Sequence, residues 1–117
     1  MHPYTIDDFF NLCARMMNKI TDSFLSNTDT LNNILNLAML SIYLVQKEAN
    51  ESITRFITHF VKIEHPVVDR YIRDSFGQKL LFSMIDSILF KLPGFFIPDV
   101  VEPIWTFKTS YPDVSRF

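Results

Sequence analysis

Residues 5–20 read TIDDFFNLCARMMNKI. Ile6, Phe9, Phe10, Cys13, Met16, Met17 and Ile20 recur at steps of three and four, with Asp7, Asp8, Asn11, Arg15 and Lys19 between them. That spacing draws one apolar stripe along a helix. Thr5 and Asp8 are spaced as a capping box, and an acid in the first turn faces the positive end of the helix dipole.

The same period continues down the chain. A second helix is predicted from about Thr30 to Val45, apolar nearly all round from Ile34 onward and so expected to be covered on every side. A third runs from about Asn50 to Ile63, with Asn50 as its N-cap. It stops at His65-Pro66, because the residue before a proline avoids helical geometry. Glu64 to Gly77 reads as a linker with a short helical turn over Val67 to Arg73. A fourth helix spans about Gln78 to Leu92 and stops at Pro93-Gly94. A fifth opens near Pro98-Asp99, tolerates Pro103 close to its first turn, and ends before Pro112. No alternating stretch longer than a few residues breaks the pattern, so the class is all-α.

Shifted by 47 residues, the chain overlays itself. Ile6, Ile53 and Val100 fall in register, then Phe10, Ile57 and Ile104, then Cys13, Phe60 and Phe107. The same shift sets Ile34 on Leu81, Ala38 on Ile85 and Ile42 on Leu89. Two sets of helices agree on one offset, which one accidental phase match does not produce. A two-helix unit of roughly 40–47 residues has the size of a HEAT repeat. The expected architecture is an antiparallel helix-pair solenoid of about two and a half repeats: a half repeat over 1–27, then repeats over 28–65 and 66–117. About three repeats are normally needed for stability, with capping repeats at the ends. A piece of a longer solenoid is therefore expected, with end helices that expose stacking faces and self-associate.

Composition narrows the function. The chain has 117 residues, enough for one domain. Thirteen acids against eleven bases give a net charge of −2, with no clustered basic stripe, which argues against direct nucleic-acid binding. The only glycines, Gly77 and Gly94, are too far apart for a phosphate-binding loop. A single cysteine, Cys13, excludes an internal disulfide framework and a cysteine zinc cluster. Met1 to Phe10 has no basic region and is not read as a signal peptide. The uncharged run Thr30 to Gln46 is too short and, with Asn32, Asn33 and Asn36, too polar for a membrane span. Asn50-Glu51-Ser52 matches the glycosylation pattern and is read as incidental.

Little in the chain resembles reaction chemistry. His2, His59 and His65 do not share a helical face, so they read as solvated or capping residues rather than ligands. No G-x-S-x-G turn exists. No enzyme activity, cofactor or metal is expected. Asp86, inside an apolar helix, needs a basic partner or an edge position. Cys13 and Trp105 lie among apolar residues and read as core, with a surface anchor for a partner as the alternative for Trp105. Arg15, Lys19, Arg55, Lys62 and Lys108 sit on the odd-numbered helices. If those helices form one wall, these five are the candidate partner-binding residues.

Three motifs in series carry a family resemblance. The first helix reads His2-Pro3, Asp7-Asp8, Phe10, Leu12 and Arg15. The third opens with Ala49-Asn50, Ser52, Arg55 and Phe56. The end reads Leu92-Pro93, Pro98-Asp99-Val100, Glu102 and Trp105. In this order they resemble the C-terminal part of the importin-beta-like karyopherins, in the branch that imports serine/arginine-rich splicing factors. The resemblance covers nearly the whole chain. It implies a right-handed superhelix holding protein cargo inside its curve, release by the small GTPase Ran, and residence in cytoplasm and nucleus. The Ran-binding repeats of the family have no counterpart here. Neither does its arginine-rich helix, since no helix here carries several arginines in step.

Overall fold

The computed structural model describes residues 3–115, which are helical apart from short connections and contain no strand. Eight α-helices follow one another: α1 (Pro3–Lys19), α2 (Thr21–Ser26), α3 (Thr28–Ser41), α4 (Lys47–Lys62), α5 (Pro66–Arg73), α6 (Ser75–Asp86), α7 (Ile97–Ser110) and α8 (Pro112–Ser115). His2 and the Thr5 side chain, the expected capping partner of Asp8, lie outside the described residues.

The helices form two layers. α1, α4 and α7 lie side by side in close contact, while α3 and α6 form a second row that touches more sparsely. The slab measures 35 × 34 × 19 Å between Cα extremes. Its thinnest dimension fits two helix layers at the usual 8–10 Å separation. The 47-residue offset maps α1 onto α4 and α4 onto α7; it also maps α2 onto α5 and α3 onto α6.

Buried residues follow the stripes. Ile6, Phe10, Cys13 and Met17 in α1 meet Ile53, Phe56, Ile57 and Phe60 in α4 and Val100 and Phe107 in α7, all in one core. Phe10 lies 5.4 Å from Phe56 between ring centres, and Phe56 lies 6.4 Å from Phe60. These separations are favourable for aromatic pairs.

Several local expectations are corrected. Helix α4 begins at Lys47, capped by the Gln46 side chain, which accepts from the Ala49 N–H at 2.7 Å. Asn50 is therefore not the N-cap. It is fully buried, and its Nδ2 donates to the Ile42 carbonyl at 3.1 Å, closing the end of α3. A glycan cannot be attached to it in the folded chain. The stretch Glu64 to Gly77 is no linker: His65 caps α5 through Nδ1, Pro66 opens it, and Val68 and Ile72 are buried. Helix α2 was not anticipated, and α3 starts two residues before Thr30, capped by Asn27.

The fourth helix is α only to Asp86. A π-helical turn over Ser87–Lys91 follows, closed by the Leu92 N–H on the Ser87 carbonyl at 2.8 Å. Pro103 lies inside α7 rather than in its first turn, so the Asp99 carbonyl has no donor one turn on. Pro112 opens α8 after α7 has ended. The helix that reads as apolar all round is not covered on all sides, since Leu40 of α3 is 73% exposed. Trp105 is not core either; it is 66% exposed.

Candidate protein-binding face

The outer face of the α1/α4/α7 row carries two grooves. The first runs between α1 and α4, with a volume of about 690 Å³, and is bordered by Asp8, Asn11, Leu12, Arg15, Arg55 and His59. Asn11 organises its floor. Its Nδ2 donates to Asp7 at 3.2 Å, and its Oδ1 accepts from Arg55 Nη1 at 3.1 Å. Asp7 also accepts from the Ser52 hydroxyl, so three polar side chains join α1 to α4. Arg55 is thus held in place while its guanidinium keeps further donors for a ligand.

The second groove, between α4 and α7, has a volume of about 270 Å³ and includes Glu51, Arg55, Lys62, Asp99 and Glu102. Lys47 lies at its end, 2.5 Å from Asp99 and 4.0 Å from Glu51. It also sits 5.3 Å from the centre of the Phe96 ring. The charge therefore falls along the wall: Arg15 and Arg55 outweigh Asp8 in the first groove, and Arg55, Lys62 and Lys47 balance Glu51, Asp99 and Glu102 in the second.

Among the five basic residues expected on the wall, Arg15, Arg55 and Lys62 come together on one face. Under the 47-residue offset Arg15 and Lys62 are equivalent, and Asp8, Arg55 and Glu102 form the neighbouring column. Lys19 is exposed at the end of α1 and borders neither groove. Lys108 is half-buried and occupies the position that Val61 holds in α4. That position faces along the row, not out from the wall.

The titratable groups elsewhere are structural. Cys13 is buried, and burial pushes its thiol from 9.0 up to about 11, so at neutral pH it is protonated and a poor nucleophile. Among the described residues Asp86 has no basic partner; it accepts from the Tyr43 hydroxyl at 2.9 Å. Burial and that carboxylate together raise the Tyr43 pKa. His65 caps α5 through Nδ1 and turns Nε2 to Asp22 at 3.1 Å, joining α5 to α2. Arg73 bonds Asp113 at 2.5 Å and Asp69 at 3.0 Å, which raises its own pKa and lowers that of Asp113. Among the described residues, no three His, Cys, Asp or Glu side chains stand close enough to share a metal ion.

A second concavity went unread in the sequence. It lies between α3 and α6, with a volume of about 610 Å³, and Met39, Leu40, Tyr43 and Phe82 give it an apolar lining. Leu40 and Phe82 stand 73% and 67% exposed there. The signal was the excess of apolar residues on α3, more than one buried face can use. No described helix is long and apolar enough to cross a membrane. No family model matches the chain.

Proposed function

We propose that this chain is a segment of a helical-repeat transport receptor, similar to the importin-beta-like karyopherins, and that α1, α4 and α7 form its cargo-facing wall. The architecture belonging to this reading is a HEAT-type solenoid of about two and a half helix-pair units, divided near residues 27 and 65. The recurrence of α1, α4 and α7 at one offset, with Arg15, Arg55 and Lys62 on one outward face, carries the reading. The cargo class is a protein segment of mixed charge, with serine/arginine-rich splicing factors as the specific candidate from the family resemblance. Acidic or phosphorylated groups of such a segment match the Arg15–Arg55 groove, and its arginines match Glu51 and Glu102. The chain would then act in the cytoplasm and the nucleus, without catalysis and without a cofactor.

The test is binding of a serine/arginine-rich segment, phosphorylated and unmodified, measured at rising salt. Affinity should fall with salt, because exposed charge pairs are screened. The double variant Arg15→Ala with Arg55→Ala should weaken binding about tenfold or more, since hydrogen bonds to charged groups contribute about 1.5–3 kcal/mol each. Salt-independent binding, or binding indifferent to both arginines, overturns the reading.

A second reading has its own observation. The apolar groove at Leu40 and Phe82 fits a structural joint unrelated to transport. Such a joint would bind independently of salt and lose its partner on Leu40→Glu.

A further inference from the structure

The outer side of α7 repeats a face that α4 uses for packing inside the chain. In α4, Thr54 and Thr58 are buried on the side that meets α7. Their equivalents one repeat later are Val101 and Trp105, which are 42% and 66% exposed. Ile97 stands one turn before them on the same side and is also exposed. The face that α4 turns to α7 is therefore repeated on α7, and there it is more apolar and uncovered. Single apolar residues on a surface are ordinary, but three at successive helical turns form a stripe.

The opposite end carries the mating half. The side of α4 that meets α1 includes Phe56, packed on Phe10, and Ser52, bonded to Asp7. One repeat earlier, Phe56 and His59 correspond to Phe9 and Leu12. Phe9 is half-buried, Met16 is 39% exposed, and Leu12, at the outer edge where this side meets the α1/α4 groove, is 48% exposed. The side of α1 away from α4 is thus the same kind of surface that α4 presents to α1 and α7 presents to α4.

We propose that α7 of one copy of this chain docks against α1 of a second copy, continuing the α1–α4–α7 row from molecule to molecule. The occupant follows from continuity with the packing inside the chain. The row already uses this helix-on-helix contact twice, and each molecule holds one donor face and one acceptor face of it. Such a contact is heterologous, so it does not close at two copies and lengthens as the concentration rises. Trp105 and Val101 would meet Leu12 and Met16, pairing apolar surface with apolar surface. The cargo reading fills the same two faces with neighbouring repeats of a longer chain, so the two readings share the contact and differ in its occupant.

Sedimentation of the full chain over a wide concentration range, with capped variants, tests it. Wild type should grow past two copies. Its single tryptophan, Trp105, should shift its emission to shorter wavelength as it does so. Leu12→Glu and Trp105→Glu should each stay at one copy. Mixed together, they should form a one-to-one pair that grows no further, because each retains the face the other lacks. Met16→Glu and Val101→Glu repeat the two caps, so a variant that loses helical circular dichroism does not remove the test. A wild type that stays at 13.7 kDa at every concentration overturns the proposal. So does association that survives in Leu12→Glu alone, which means a symmetric α7–α7 contact. Association abolished by Leu40→Glu but kept in both capped variants overturns it as well, and assigns the α3/α6 groove instead.

Discussion

The two helix rows are built on different chemistry. In the α1/α4/α7 row, aromatic rings pack from Phe10 through Phe56 to Phe60, and polar side chains bridge each pair of helices: Ser52 to Asp7, Arg55 to Asn11, Lys47 to Asp99. In the α3/α6 row, Tyr43 to Asp86 bridges the pair, and an apolar groove separates much of the rest. Packing is close on one side of the molecule and splayed on the other. The proposed binding wall lies on the close-packed side, where its basic side chains stand on helices locked to their neighbours.

The largest expected effect sharpens this contrast. Phe56 is fully buried between Phe10 and Phe60, so Phe56→Ala should cost about 3–5 kcal/mol of stability. Phe82→Ala, at an exposed ring of the other row, should stay within about 0.5 kcal/mol. Chemical denaturation of both variants checks the pair. Equal losses would mean that the α3/α6 groove is a closed core element, and the contrast between the rows would fail.

A smaller effect tests the joint that holds α6 in place. A Cβ on Gly77 would lie 1.9 Å from the Ile72 carbonyl oxygen and 2.8 Å from its carbon, both backbone atoms that cannot rotate away. Helix propensity alone favours alanine over glycine by about 1 kcal/mol. The clash should reverse that gain, so Gly77→Ala is expected to destabilise by roughly 2 kcal/mol or more. A stabilised variant would show that α5 and α6 can slide apart at little cost.

The legible part of the fold was the wall row. Ile6, Phe10 and Cys13, with their equivalents in α4 and α7, face one core, and a helix with one buried side prints that side at steps of three and four. Helix α2 was missed because Thr21–Ser26 makes too few turns to show a period, with Leu25 its one buried residue. Trp105 was misread for a deeper reason. Apolar residues that face the core and apolar residues that face along the row lie on adjacent sides of one helix, and periodicity merges them. Asn50 was misassigned because capping and buried bridging use the same amide, and only the free carbonyl of Ile42 decides between them. At the candidate site, Arg15, Arg55 and Lys62 were legible through their shared helices. Lys108 was not separable from them, since a turn of less than a third of the helix circumference carries it off the wall.

The smallest effect concerns the tie across the α3/α6 row. Removing the Tyr43 hydroxyl in Tyr43→Phe breaks the bond to Asp86, a loss of about 1 kcal/mol near neutral pH. Its pH dependence identifies the cause. Burial, reinforced by the Asp86 carboxylate, raises the Tyr43 pKa above its ordinary value of 10.0. A group whose folded pKa is raised contributes its full stability below the unfolded value and loses it as the pH climbs through the folded one. The folded chain therefore holds the Tyr43 proton more tightly than the unfolded chain does. Cys13, Tyr71 and Tyr111 are raised by burial as well, so both proteins should lose stability in alkali. The difference between wild type and Tyr43→Phe cancels those shared losses. It should be constant from pH 6 to 9 and shrink above about pH 10, as a phenolate comes to face the carboxylate it had bonded. A difference that stays constant through alkali would mean that the hydroxyl contributes by packing alone, leaving the second row without a polar bond across it.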